Sequence, residues 1–249
     1  MARARDTRTA KTVARLLSRL GVCSRTAASE WIRAGRVRVD GAVVRDPERW
    51  VDPARSRVTL DGKRVEAASE LVLALHKPRG YVTTASDPEG RRTVYELLAD
   101  VPSWVGPVGR LDRDTSGLLL FTNDTELAER ITSPASRLPK TYRVRARPAL
   151  PDEALAALRK GVELDDGPTR PAEVTSLRRY KGYCLLELTI TEGRNRQVRR
   201  MLRAVGGKVD GLKRVRIGPI ELGLLPSGAW RKLRAREIGE LRAGLARDH

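Results

Sequence analysis

Near its start the chain changes from apolar residues at helical spacing to apolar residues at alternate positions. The helical spacing covers 12–20, where Gly21 follows as a C-terminal cap, and resumes after Ser24, a favoured N-cap residue. The alternating residues then surround Asp40-Gly41 and precede Asp61-Gly62, pairs that are typical of tight hairpin turns. The pattern predicts two helices followed by a small sheet, a compact unit of about 60 residues.

The rest of the chain mixes strand-like and helix-like stretches. Spacing predicts strands at 71–75, 117–122 and 183–191, a helix or turn at 92–98, and helices at 154–160, 197–205 and 237–249. Regular alternation of strand and helix is typical of a doubly wound parallel sheet. Because the order here is irregular, we expect the α+β class.

The positive charge of the chain is concentrated in two blocks. The formal net charge is +18; residues 1–66 hold 16 Lys and Arg against 8 Asp and Glu, and residues 191–236 hold 13 against 3. A polyanion with an extended backbone binds separated basic blocks, because each neutralised phosphate releases counterions. Solvated surface charge explains the composition equally well, but the clustering favours a nucleic acid partner.

Several kinds of site and location are disfavoured. The cysteines, Cys23 and Cys184, are far apart, and the histidines are His76 and His249, so we expect neither disulfides nor a Cys/His metal site. No apolar run has the length needed to cross a bilayer, and the basic residues 1–11 precede no apolar signal core. We therefore expect a cytoplasmic protein without a membrane partner.

A polar loop lies directly before the predicted buried strand at 117–122. It holds two arginines and two acids, which are Arg110, Asp112, Arg113 and Asp114. Loops held by rigid strands commonly carry reacting groups, but the same residues also fit a solvated turn in which Asp114 or Ser116 binds backbone amides. The glycine spacing and terminal Lys of a nucleotide phosphate loop are missing. The residues alone leave the function of this loop open.

The first unit resembles the S4 RNA-binding domain over most of residues 12–65. The likeness is carried by LLSRLGVCSR at 16–25 and by WIRAGRVRVDG at 31–41. Asp40 stands where this family usually has Asn, and either residue suits the turn. The resemblance implies that Arg25, Arg36 and Arg38 lie on or near the RNA-facing surface, although ordinary solvation suits each of them equally well.

The polar loop and four other segments resemble the ribosomal RNA pseudouridine synthases, in the branch that carries an S4 domain. In chain order the segments are HKPRGYVTT at 76–84, SDPEGRRTVY at 86–95, GRLD at 109–112 with TSGLLL at 115–120, KTY at 140–142, and EGRNRQVRRML at 192–202. Five motifs in the family's order are not expected by chance. The likeness is greater to enzymes of the large-subunit (23S) RNA than to those of the small-subunit (16S) RNA.

The resemblance implies a role for individual residues. The family's catalytic aspartate falls on Asp112, the tyrosine that packs on the target base falls on Tyr142, and the arginine that pairs with the carboxylate falls on Arg199. Asp114 falls on a position that varies in the family, and we expect it to be structural. Further substrate-binding residues are expected at Arg110, Lys140, Asn195 and Gln197, and further RNA contacts at Lys77 and Arg196.

A carboxylate suits the reaction of this family. Isomerisation breaks the bond from N1 of uracil to the sugar, turns the ring, and joins C5 to the same sugar carbon. Asp112 can attack that carbon or take the proton of the neighbouring carbon, and it can later help to remove the C5 proton. The sequence leaves these routes open, and neither requires a metal or a cofactor. Tyr142 is expected to offset base flipping by stacking, worth roughly 1–3 kcal/mol.

We therefore expect an α+β protein with a flexible basic tail at 1–11, an S4 domain at 12–66 and a linker at 67–70. The synthase domain at 71–249 is expected to have a mixed, mainly antiparallel sheet. We expect a monomer whose partner is ribosomal RNA or a ribosome assembly intermediate.

Three alternatives remain. The chain could be a catalytically inactive S4-type RNA-binding or assembly factor, or a synthase of the small-subunit (16S) RNA. It could also be a hydrolase that uses Asp112 and Asp114 as an acid and base pair and releases the base. The presence of Asp112, Tyr142 and Arg199 argues against the inactive factor, and only the hydrolase requires Asp114.

Overall fold

The computed structural model describes residues 11–66 and 68–246, and its backbone forms two compact units. The first unit contains the chain up to Val72 together with 100–106 and 122–125, and the second contains 73–99, 107–121 and the residues from Glu126 onward. No helix of the described residues is long and apolar enough to span a bilayer.

The described residues of the first unit form two helices and six short strands. They are β1 (Lys11–Thr12), α1 (Val13–Arg19), α2 (Arg25–Arg33), β2 (Val37–Val39), β3 (Ala42–Val44), β4 (Trp50–Val51), β5 (Val58–Leu60) and β6 (Lys63–Arg64). The strands β3, β2, β5 and β6 form a four-stranded antiparallel sheet in that order, and β1 pairs with β4. Apolar side chains of α1, α2 and the sheet form one buried core.

Local chemistry sets the ends of these elements as predicted. The Ser24 side chain caps α2 by accepting from Ala27 N (3.0 Å). After α1, Gly21 has a φ of +72°, which lets Val22 N donate back to Leu17 O. Asp40 and Gly41 both have positive φ, at 52° and 85°, as the tight turn between β2 and β3 requires.

Predicted connecting segments overlap the first unit. Residues 1–10 of the predicted tail and Ala67 of the predicted linker lie outside the described residues. Lys11, the last residue of the predicted tail, is instead part of β1, where it pairs with Val51. Ala68 N donates to Leu20 O (3.0 Å), and Ser69 O accepts from Asn123 Nδ2 (2.9 Å). The predicted domain boundaries stay predictions.

From Val72 onward the chain forms one large sheet and four helices, with short 3-10 turns at Val94–Leu98 and Pro134–Ser136. The elements are β7 (Val72–Lys77), β8 (Gly106–Val108), β9 (Ser116–Thr122), α3 (Thr125–Thr132), β10 (Lys140–Arg147), α4 (Asp152–Lys160), β11 (Glu173–Tyr180), β12 (Tyr183–Ile190), α5 (Gln197–Ala204), β13 (Lys208–Ile217), β14 (Ile220–Glu221), β15 (Trp230–Lys232) and α6 (Ala235–Ala246). The predicted strands and helices are present with ends that differ by at most two residues, except that residues 247–249 of the last predicted helix lie outside the described residues.

The sheet has the order β11, β12, β10, β13, β9, β7, β15 among the described residues, with β14 beside β13 and β8 beside β9. Its pairs are antiparallel around β10 and β12, whereas β9 and β13 are parallel. The predicted α+β class with a mixed, mainly antiparallel sheet is therefore confirmed.

Gly117 allows β9 to approach β13. Its Cα is paired with that of Arg214, its φ is +111°, and a Cβ built on it would lie 2.1 Å from the backbone oxygen of Arg214. Only glycine fits here, because the left-handed φ and the missing side chain are both required. The close approach fixes the polar loop before β9 against β13.

Candidate active site

The polar loop at 109–115 connects β8 to β9. Gly109 has a φ of +72°, and Thr115 N donates to Asp112 O (3.0 Å), which closes a turn around the two acids. Thr83 Oγ1 donates to Leu111 O (2.9 Å) and so ties the loop to the segment after β7. Asp112 is therefore carried by a loop whose backbone is held on both sides.

Lys77 supports this loop from below. Its side chain is fully buried, and Nζ donates to Pro78 O (3.1 Å), Asp112 O (3.1 Å) and Thr115 O (2.9 Å). Burial lowers the pKa of Lys77 to about 8. The prediction that Lys77 contacts RNA is wrong, because β7 is buried along its whole length and the ammonium group is used by loop carbonyls.

Replacing Lys77 by Met is expected to destabilise the fold by about 2 kcal/mol, because buried carbonyls of the loop lose their donor. Activity should fall further than stability alone explains, since the loop that carries Asp112 loses its support. Urea unfolding and initial rates on the purified variant measure the two effects. The control is the exposed Lys181→Met; equal stability of both variants would contradict the supporting role.

Two arginines of the α5 region face Asp112. Arg196 Nη1 lies 3.6 Å and Arg199 Nε lies 3.8 Å from Asp112 Oδ2. These are ion-pair distances that are too long for hydrogen bonds. The side chain of Arg199 is mostly buried, and its Nη2 donates to Asp114 O (3.1 Å), which fixes the guanidinium over the loop. Both guanidinium groups are therefore within ion-pair distance of the Asp112 carboxylate.

One buried nitrogen of Arg199 has no hydrogen-bond partner. This is Nε, which donates to no described residue. Burial and the neighbouring Arg196 lower the pKa of Arg199, while the Asp112 carboxylate opposes that shift. This nitrogen is thus left for an acceptor that a ligand supplies.

Asp112 lines a cavity of about 420 Å³ in the second unit. The cavity brings together predicted residues from the loop, β10 and α5, namely Arg110, Asp112, Lys140, Tyr142, Arg196, Gln197 and Arg199. Its lining does not include Asn195, which is exposed, or Asp114, whose carboxylate lies 3.5 Å from Arg113 Nε. A single carboxylate of the loop therefore faces the cavity.

Tyr142 and Lys140 form part of the cavity floor. They lie two residues apart on β10 and so on the same face of the strand, and Tyr142 is 8% exposed. Lys140 Nζ donates to Leu138 O (3.0 Å). Burial, with a smaller contribution from the charge of Arg214, lowers the pKa of Lys140 to about 8.

Gln197 positions neighbouring residues. Its Oε1 accepts from Arg194 N (3.0 Å), and its Nε2 donates to Glu192 Oε1. With the amide group used internally, Gln197 shapes the cavity wall and has little capacity left for a substrate. Glu192, which also lines the cavity, was not predicted as a site residue.

Sequence reasoning also missed Arg170 and Arg214. Arg170 Nη1 and Arg214 Nη2 are buried and bond to no described residue, and both arginines line the cavity with Arg199. Every unpartnered buried side-chain nitrogen or oxygen of the described residues thus belongs to an arginine of this cavity. Such donors fit a ligand rich in acceptor oxygens. Residue spacing gives no signal for either, since both lie among many other arginines.

The arginines predicted on the RNA-facing side of the first unit are exposed. Arg25 begins α2 and Arg38 lies on β2, where Nη1 donates to Gly41 O (3.0 Å). Arg36 is paired with Asp61 (2.5 Å) and lies 5.0 Å from the ring centre of Trp31. Arg36 is therefore less available to a phosphate than Arg25. The described residues contain no group of three or more His, Cys, Asp or Glu that could hold a metal ion.

Comparisons with known proteins cover both units. The family described as RNA pseudouridylate synthase matches residues 71–204, and the S4 domain family matches 13–54. An uncharacterized RNA pseudouridine synthase of Aquifex aeolicus (strain VF5) is 43% identical over 228 residues, covering 91% of this chain and 92% of that protein. The ribosomal large subunit pseudouridine synthase B of Bacillus subtilis (strain 168) is 39% identical over 231 residues, covering 92% and 94%.

A solved structure agrees with these relatives. It is described as a crystal structure of pseudouridylate synthase, with a TM-score of 0.66 and 31% sequence identity. The match covers 93% of this chain and 99% of that structure's chain. The resemblance noted in the sequence motifs is therefore confirmed over nearly the whole chain, in sequence and in fold. The chain belongs to the RNA pseudouridine synthase family, in the branch whose members carry an S4 domain, and is an enzyme of that family.

Proposed function

We propose that this enzyme isomerises a uridine of large-subunit (23S) ribosomal RNA to pseudouridine and that Asp112 performs the chemistry. The relatives named for the large ribosomal subunit support the choice of RNA. The observation that carries the proposal is the cavity in which Asp112 faces Arg199 across 3.8 Å, with Tyr142 beside them.

The reaction begins when the target uridine leaves its stack and its base lies on Tyr142. The bond from N1 to C1′ then breaks, and its electron pair stays on the uracil. Asp112 either bonds to C1′ or takes the proton from C2′. Uracil turns, and C5 bonds to C1′ as the bond from Asp112 to C1′ breaks or, on the other route, as Asp112 returns the proton to C2′. The C5 proton then leaves to a base, and N1 gains a proton. Arg199 orients Asp112 throughout.

Retention of the uracil distinguishes this reaction from hydrolysis. A hydrolase with an acid and base pair needs two carboxyl groups that face one reacting bond. Asp114 does not line the cavity, and its backbone oxygen, not its carboxylate, accepts from Arg199. Glu192 does line the cavity, but its Oε1 already accepts from Arg170 N and Gln197 Nε2. The geometry therefore favours isomerisation by Asp112 over hydrolysis by the pair of Asp112 and Asp114.

A basic groove beside the cavity suits the RNA backbone. It is lined by five cations and by no acid among the described residues, and it shares Arg196 and Arg199 with the cavity; the other three cations are Arg147, Arg203 and Lys208. Glycines at 206 and 207 leave room for a phosphate to approach. We propose that phosphates next to the flipped uridine bind in this groove.

Replacing Arg203 and Lys208 by Gln is expected to weaken RNA binding and to reduce its salt dependence. The rate of isomerisation at saturating RNA should not change. Loss of two phosphate contacts lowers the slope of log Kd against log salt by roughly 1.4 for single-stranded RNA. Filter binding at several salt concentrations measures the slope. The charge-matched control replaces the exposed Lys160 and Lys181 by Gln; an equal change in slope there would remove the groove from the proposal.

Position-resolved mapping of pseudouridine tests the proposed function. Ribosomal RNA from cells that lack this protein is compared with RNA from complemented cells. Loss of pseudouridine at one large-subunit uridine, restored by the wild-type gene, is expected. A changed site in small-subunit RNA would redirect the substrate, and no changed site would favour an RNA-binding factor without catalysis. The same purified enzyme incubated with naked RNA and with assembly particles distinguishes the two forms of substrate.

A further inference from the structure

Arg214 occupies a position in the cavity that the proposed reaction has not yet used. It lies on β13, its side chain is buried with 4% of the residue exposed, and its Nε donates to Leu118 O (2.8 Å). Its Nη2 is buried and bonds to no residue of the described chain. One end of the guanidinium is thus held by the sheet, while the other lacks an acceptor.

The sheet register places Arg214 beside the base-stacking residue. The Cα of Arg214 is paired with that of Tyr142 across the antiparallel strands β13 and β10. Directly opposed residues of such a pair point to the same face. Both residues line the cavity, so a ring that stacks on Tyr142 has Arg214 at its edge.

Arg214 and Lys140 form a pair of cations without a carboxylate. No described Asp or Glu lies within salt-bridge distance of either residue, and the charge of Arg214 contributes to the lowered pKa of Lys140. A buried cation beside a half-buried one is costly unless a ligand supplies acceptors or negative charge. The arrangement resembles the fixed donors by which enzymes stabilise a developing oxyanion.

We propose, on the basis of the function proposed above, that Arg214 donates from Nη2 to a carbonyl oxygen of the target uracil and stabilises the charge that the ring acquires. When the bond from N1 to C1′ breaks, the electron pair remains on N1 and is shared with O2 and O4. Lys140 adds its charge from the same side. When C5 bonds to C1′ and loses its proton while N1 gains one, the ring is neutral again.

The position of Arg214 favours the uracil over a phosphate. Arg214 is buried and paired with Tyr142, whereas Arg147, Arg203 and Lys208 of the basic groove are exposed. A phosphate at the floor would occupy the space of the base. A planar ring with two carbonyl oxygens at its edge offers acceptors to the planar N–H donors of a guanidinium.

Single-turnover kinetics with Arg214→Met and Arg214→Lys test the proposal. The Met variant is expected to lower the rate at saturating enzyme by roughly 10²-fold to 10³-fold, as loss of one oxyanion donor does elsewhere, while the Kd for RNA stays nearly unchanged. The Lys variant, which keeps a charge, should recover part of that rate. The matched controls are Arg216→Met and Arg216→Lys, because Arg216 is exposed and pairs with Thr141 on the opposite face.

Substrates in which one carbonyl oxygen of the target uracil is replaced distinguish a direct contact with Arg214 from a structural role of Arg214. Sulfur in place of O2 or O4 of the target uridine accepts hydrogen bonds poorly. If Nη2 contacts that oxygen, the sulfur slows the wild type but slows Arg214→Met little further, so that the effects are not additive. The role of Arg214 would be overturned if the effects were fully additive for sulfur at O2 and at O4, or if only the affinity for RNA fell. It would also be overturned if both Arg214 variants were unfolded while the Arg216 controls were folded. Absence of isomerisation by the wild type would instead overturn the proposed function itself.

Discussion

Replacing Asp112 by Asn should abolish isomerisation, with a rate reduced on the order of 10⁴-fold or more. The amide has the size of the carboxylate but neither attacks C1′ nor accepts a proton from C2′. The fold should persist, because the backbone oxygen of Asp112, not its side chain, accepts from Thr115 N and Lys77 Nζ. RNA affinity should be retained or increased, since a negative charge beside the bound phosphates is removed.

The measurement is the pseudouridine formed by purified protein under single-turnover conditions, together with the Kd for the same RNA and any free uracil released. Asp114→Asn is the matched control, because Asp114 is two residues away on the same loop and its carboxylate contacts Arg113. It is expected to retain activity near the wild-type level. Activity of Asp112→Asn, or equal inactivation by Asp114→Asn with release of uracil, would contradict the single-carboxylate mechanism.

Replacing Gly117 by Ala is expected to destabilise the second unit by about 4 kcal/mol. The added Cβ would lie 2.1 Å from Arg214 O, and the φ of +111° is itself strained for alanine. The backbone atoms it meets cannot rotate away as a side chain could. Strands β9 and β13 must separate, and the loop that carries Asp112 moves with β9, so activity should fall as well.

Urea unfolding of Gly117→Ala measures the change in the free energy of unfolding. The matched control is Gly239→Ala, because Gly239 lies within α6 and a Cβ there meets nothing within 4 Å. That control should be stabilised by roughly 0.5–1 kcal/mol, since alanine favours a helix over glycine. Wild-type stability of Gly117→Ala would show that the two strands are not held as closely as the structure indicates.

Local patterns determined much of the fold. Capping by Ser24, the αL glycine after α1 and the Asp-Gly turns act over a few residues, so the sequence alone predicts the helices and hairpins of the first unit. The resemblance of the motifs to a known family implied that Asp112, Tyr142 and Arg199 share one site, and all three line the cavity. Helix caps and tight turns can be predicted from the sequence because residues close together along the chain produce them.

Only the tertiary structure distinguishes the roles of residues that look alike in the sequence. Lys77 resembles a surface cation but is fully buried under the polar loop, while Asn195 and Asp114 belong to conspicuous motifs and do not line the cavity. Arg214 is one arginine of an alternating basic strand, and only its pairing with Tyr142 and Gly117 places its free nitrogen at the cavity floor. Residue type and spacing fix which face of a strand a side chain takes; the partners across the sheet, which are distant in the chain, fix what that face meets.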